Sequence, residues 1–154
     1  ESHDRILCLG HGSPYGLLSR GQFPYAGLYI VDESMVTSLK NKSNSIFIWC
    51  YADQFVQSHG LSGFCTGMFI SELSEADYWG FEDIDHSLIE QSNNSFASTV
   101  SKYIHEPIEI LYQNLLHKYG SLAKTNQIAR FNLERLSLSH SYSIHNNQNI
   151  FTNT

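Results

Sequence analysis

The sequence predicts an α/β fold, a three-layer sandwich around a small, mostly parallel sheet. Three features lead there. Apolar runs of four or five residues alternate with stretches of helical period, the pattern of βα units. Those runs are apolar at consecutive positions, as strands buried on both faces are. Glycine and polar loops separate them, and in open α/β sheets reacting groups gather in the loops past the strands' carboxyl ends.

Arg5-Ile6-Leu7-Cys8-Leu9 is the first run, closed by Gly10, and a Gly/Pro/Tyr/Ser loop extends from His11 to about Gly27. Leu28–Val31 reads as a second strand. Asp32 or Ser34 caps a short helix through Leu39, with Met35, Val36 and Leu39 on one face. After a turn over 41–45, Ile46-Phe47-Ile48-Trp49-Cys50 carries the strongest strand signal, β-branched and aromatic. Phe55 and Val56 mark a helix ending near Gly60, and a further strand centres on Met68-Phe69-Ile70. Asn94 or Ser95 is placed to cap a helix with Phe96, Val100, Tyr103 and Ile104 on its face. Pro107 opens the next helix, whose Ile108, Leu111, Leu115 and Tyr119 precede a stop at Gly120. Residues 127–138 fit neither period. The domain is drawn as 1–138, and 139–154 as a polar, Asn-rich tail.

Composition narrows the function classes. A chain of 154 residues with 42% hydrophobic content can bury one core without disulfides. Nine Lys and Arg against fifteen Asp and Glu give a net charge of −6, which argues against nucleic acid and anionic membrane as partners. No apolar run nears the roughly 20 residues that span a bilayer, and no signal segment opens the chain. Three cysteines, none spaced as CxxC, favour free thiols in a reducing, cytoplasmic compartment. The eight histidines show no ligand spacing such as HExxH, so neither a metal nor an organic cofactor is implied.

Two groups sit just past strand ends, His11-Gly12 and Cys50, and parallel pairing would bring both to one sheet edge. A strand-end thiolate can attack a carbonyl, and a nearby imidazole can protonate the leaving amine. A bare glycine N–H beside that imidazole can bind the oxyanion. Each has a bland counterpart: Cys50 as a packing thiol, like Cys8 and Cys65, and His11 as a loop histidine bonded to backbone. A phosphate cradle at Gly10-His11-Gly12-Ser13 lacks the helix that should follow. A serine triad at Ser13 lacks the GxSxG elbow.

Ile6-Leu7-Cys8-Leu9-Gly10-His11-Gly12-Ser13 and Ile46-Phe47-Ile48-Trp49-Cys50 resemble the His and Cys blocks of the caspase-like (clan CD) cysteine peptidases. Met68 to Ala76 is similar to the family's next strand, and Ser95-Phe96-Ala97-Ser98 to the start of its following helix. The resemblance covers about residues 5–104 and implies a caspase-like core lacking its first βα unit. It further implies Cys50 as nucleophile, His11 as acid, Gly12 in the oxyanion hole, and Ser71, Glu72 and Asp53 as substrate-binding candidates. Peptide or protein is the implied substrate. The alternative is a catalytically inactive module that binds a partner protein, suggested by Trp49 before the thiol and Tyr51-Ala52 after it. Glu72 and Glu75 also read as solvated surface, and Trp79-Gly80-Phe81 as a loop over the core or beside the cleft.

Overall fold

The computed structural model describes residues 5–19 and 28–140 and the backbone of 143–146. These divide into two compact units, Phe69–Arg135 and the remainder. The sequence reads as a single domain because neither junction carries a Pro-, Gly- or Ser-rich linker.

The first unit holds the sheet. Its elements are β1 (Leu7–Leu9), β2 (Gly12–Ser13), β3 (Gly16–Leu18), β4 (Tyr29–Val31), α1 (Val36–Leu39), β5 (Ser45–Ile48), α2 (Ala52–Ser58) and β6 (Gly63–Thr66), then β7 (Leu136–His140) and β8 (Ser143–Asn146). The main sheet runs β1-β5-β6-β7-β8; β1, β5 and β6 are parallel, and β7 and β8 antiparallel. Every residue of β5 and β6 is buried, so the sheet is the inner layer of an α/β sandwich. One face carries Cys8, Phe47, Trp49 and Cys65, packed with Phe55 and Val56 of α2. Alternation turns Ile46, Ile48 and Phe64 to the other face, where they are also buried.

Several elements differ from the sequence reading. The described part of the loop from His11 contains β2 and β3, which pair with β4 in a separate antiparallel sheet; residues 20–27 lie outside the described residues. Leu28–Val31 is therefore a strand of that sheet rather than of the parallel one. Asp32 does cap the next turn, accepting from Ser34 N–H at 2.9 Å. The strand expected around Met68-Phe69-Ile70 ends earlier, at Thr66. Ser139 and His140, read as the start of a tail, complete β7, and 143–146 pair as β8. Alternating serines gave this strand its polar look, but Ser137 Oγ meets Cys65 Sγ at 3.1 Å and Ser139 Oγ donates to Leu61 O at 2.9 Å. Small hydroxyls with such partners tolerate burial. Residues 141–142 and 147–154 of the expected tail lie outside the described side chains.

The second unit is helical: α3 (Leu73–Tyr78), α4 (His86–Tyr103), α5 (Ile108–Asn114), a wide turn over Leu115–Tyr119, α6 (Gly120–Leu122) and α7 (Gln127–Leu133). Helix α4 begins about ten residues before the expected Asn94 or Ser95 cap. Asp85 caps it, accepting from Leu88 N–H at 3.0 Å. Its buried face includes Ser92 beside Ile89, Phe96 and Val100, which broke the apolar period. The unmatched pattern over 127–138 is a helix followed by a strand. Trp79 and Phe81 both pack on Phe131, ring centroids 5.4 Å apart in each case, so that loop covers an aromatic cluster.

A buried polar network organises this unit. Asn132 accepts from Ile70 N–H and donates to Ile70 O, each at 2.8 Å, so one side chain satisfies the backbone that a strand would otherwise pair. Its amide also reaches Tyr119 Oη at 3.3 Å, and Tyr119 Oη lies 2.6 Å from Ser92 Oγ. Burial pushes the Tyr119 hydroxyl up to about 12, opposed by these two hydrogen bonds. Asn132→Ala strands both Ile70 groups and is expected to cost about 3 kcal/mol in urea unfolding. Gly120 is no helix stop: its φ is −61° and an added Cβ would meet Leu133 Cδ2 at an ordinary 3.5 Å. Gly120→Ala is therefore expected to stabilise by about 0.5–1 kcal/mol.

Candidate functional site

The sheet register brings the two blocks together. Leu9 stands opposite Ile48, and Gly10 N–H donates to Ile48 O at 3.1 Å, so His11-Gly12 and Trp49-Cys50 leave the same edge on neighbouring parallel strands. The chain then turns over the indole of Trp49. A Cβ built on Gly12 would lie 2.1 Å from Trp49 Cδ1 and 2.5 Å from Cγ, a distance no side chain tolerates. Trp49 Nε1 donates to Ser13 O at 3.1 Å, fixing the same contact from the other side. Trp49 is itself held edge-on between Phe47 and Phe55, each centroid 5.7 Å away.

Gly12 has a second property. Leu18 N–H donates to His11 O at 2.8 Å, and Gly12 faces Leu17 in the antiparallel register. His11–Leu18 and Ser13–Gly16 are then the hydrogen-bonded pairs, and Gly12 occupies the position whose N–H points away from β3.

Cys50 occupies a sharp strand-to-helix turn. Trp49 O accepts from Ala52 N–H at 3.1 Å and from Thr66 Oγ1 at 2.9 Å, with Cys50 and Tyr51 at the corners between. Tyr51 has φ 67° and ψ 27°, left-handed geometry that suits glycine and costs a bulky residue roughly 1 kcal/mol or more. His11 is exposed and Cys50 half-buried, whereas Cys8 and Cys65 are buried. Burial raises the Cys8 thiol and pushes that of Cys65 up to about 12, where Ser137 opposes the shift and the Asp53 carboxylate adds to it.

The substrate-binding candidates fall in different places. Asp53 lies on α2, three residues past Cys50. Burial holds its carboxyl above the usual range, against the hydrogen bond from Gln54 N–H. A carboxyl raised in the folded state contributes stability below its unfolded value and loses that contribution as pH rises through the folded one. Asp53→Asn is therefore expected to raise the melting temperature at pH 7 and leave it unchanged at pH 3, by calorimetry. Ser71 and Glu72 belong to the helical unit, where Glu75 Oε2 accepts from Ser71 N–H at 2.7 Å and from Glu72 N–H at 3.1 Å. Glu72 is the N-cap of α3 in a reciprocal capping box with Glu75. This local duty accounts for the two acids without a ligand.

A cleft of about 660 Å³ opens elsewhere in the first unit, lined by Tyr15, Tyr29, Asp32, Glu33, Gln54 and His59 among others. Neither His11 nor Cys50 lines it. The usual expectation that the cavity marks the reactive groups therefore separates here from the register, which joins the two blocks through backbone bonds. The sequence reading missed this cleft because its walls come from β2–β4 and α2, and the polar loop gave no sign of β2 and β3. Among the described residues, no three His, Cys, Asp or Glu side chains gather as a metal site. Compared with protein-family models, curated proteins and solved structures, the chain shows no match.

Proposed function

We propose that the chain is a cysteine endopeptidase of caspase-like type. The Cys50 thiolate attacks the scissile carbonyl carbon, forming the C–S bond and an oxyanion that takes hydrogen bonds from Gly12 N–H and Cys50 N–H. As the C–N bond breaks, protonated His11 gives its proton to the departing amine. Water then attacks the thioester, its hydroxyl staying on the acyl carbon as the carboxyl product and its other proton returning to the His11–Cys50 pair. The observation that carries this reading is the seating of Gly12 on Trp49, which holds the imidazole's loop against the thiol's turn. The directed Gly12 N–H adds to it.

Alkylation tests the nucleophile. Cys50 is expected to react with iodoacetamide at pH 6 about tenfold or more faster than N-acetylcysteine does, with Cys50→Ala as control. Cys8 and Cys65 contribute little background, because both are buried and burial raises both thiols, disfavouring the reactive thiolate. A Cys50 rate at or below that of the free thiol would sink the peptidase and favour the inactive, partner-binding module. The observation on that module's side is Tyr51, a bulky residue that follows Cys50 in the chain at a left-handed position suited to glycine.

A further inference from the structure

We infer that the cleft between β2–β4 and α2 is a binding site for an organic cation, a guanidinium or alkylammonium group. Its walls combine the two features such a group requires. Tyr15 and Tyr29 present aromatic rings, and Asp32 and Glu33 present carboxylates from the start of the following turn. A cation against tyrosine gains from the ring quadrupole, and a carboxylate in the same cleft neutralises it. Asp32 stays charged, because the Ser34 hydroxyl and N–H hold its carboxyl below the usual range. Gln54 and His59 on the opposite wall supply polar atoms for further hydrogen bonds, and the His59 ring is braced edge-on by Phe55 at 4.6 Å.

Tyr29 is anchored in the wall by its hydroxyl. Ser13 Oγ accepts from Tyr15 N–H at 3.1 Å and lies 3.0 Å from Tyr29 Oη, while Ser13 O accepts from Trp49 Nε1 at 3.1 Å. One serine thus ties the Tyr29 hydroxyl and the Tyr15 backbone to the core indole, while the Tyr15 ring itself stands exposed. The volume, about 660 Å³, exceeds what a single side chain fills and lies within the range of small-ligand sites. A net charge of −6 draws cations toward the protein at long range. The site stands independently of turnover at Cys50.

Titration of the ¹⁵N-labelled full chain with acetyl-Gly-Arg-Gly-amide, its citrulline analogue and agmatine reads binding without any hydrolysis step. The arginine peptide or agmatine is expected to shift the Tyr15, Glu33, Gln54 and His59 resonances saturably. The citrulline peptide, isosteric but neutral, is expected to bind at least tenfold more weakly. Glu33→Gln and Tyr15→Ala alter exposed side chains, and each is expected to weaken binding about threefold and together about tenfold. Agmatine binding as tightly as the peptide assigns the site to free amines; a peptide preference of tenfold or more assigns it to basic peptide segments. Equal binding of the citrulline peptide, an unchanged affinity in the double variant, or no saturable shift at these residues would overturn the inference.

Discussion

Cys50→Ala is expected to bring peptide hydrolysis down by about four orders of magnitude while leaving the melting temperature within a degree or two of the parent. The two halves of that expectation have separate causes. Removing a nucleophile removes the covalent path outright, and what survives comes from binding and oxyanion stabilisation alone. Stability is spared because Cys50 is only half-buried at a turn corner, so loss of one sulfur opens little cavity. Cys65→Ala supplies the contrast: its thiol is buried against Ser137, so that change is expected to lower stability and leave hydrolysis per folded molecule intact. His11→Ala is expected to lower kcat by two to four orders of magnitude, the usual worth of a positioned acid. Hydrolysis surviving undiminished in Cys50→Ala would end the assignment.

The parallel part of this arrangement was legible in the sequence for a physical reason. Strands buried on both faces must be apolar at every position, and Ile46-Phe47-Ile48 has no other comfortable setting; Leu7-Cys8-Leu9 then pairs beside it in the register that brings His11 and Cys50 to one edge. What stayed hidden depends on partners distant in sequence. Ile70 looks like strand until Asn132, 62 residues later, is seen to satisfy its backbone. Ser92 looks like a gap in an apolar face until Tyr119 and Asn132 are seen to occupy it. Ser137 and Ser139 look like surface until Cys65 and Leu61 are seen opposite them. In each case a polar group is buried because a second one meets it, and periodicity reads one residue at a time. The cleft was invisible for the related reason that β2 and β3 are two and three residues long, too short for any alternation to register.

Gly12→Ala is expected to cost about 3 kcal/mol or more in urea unfolding and to abolish hydrolysis as well. The substitution keeps the backbone N–H, so loss of a donor is not the cause. The new Cβ would overlap Trp49 Cδ1 and stand 2.7 Å from the Gly16 backbone O, and the indole is 1% exposed with Phe47 and Phe55 against its edges, leaving it nowhere to go. Either the indole leaves its packed position, forfeiting the ring contacts and the bond to Ser13 O, or β2 lifts away and carries His11 with it. Both outcomes separate the imidazole's loop from the thiol's turn. A double-mutant cycle with Trp49→Ala, which removes both indole atoms that the new Cβ would strike, separates this contact from the one with Gly16 O. Trp49→Ala alone is expected to cost about 3–5 kcal/mol through the cavity it leaves, and adding Gly12→Ala to it should cost only about 1 kcal/mol further, from the close approach to Gly16 O that remains. The resulting coupling of about 2–3 kcal/mol measures how firmly the two strand ends are pressed together. Additive costs would mean that Gly12 does not rest on the indole, and the convergence of His11 with Cys50 would lose its physical basis.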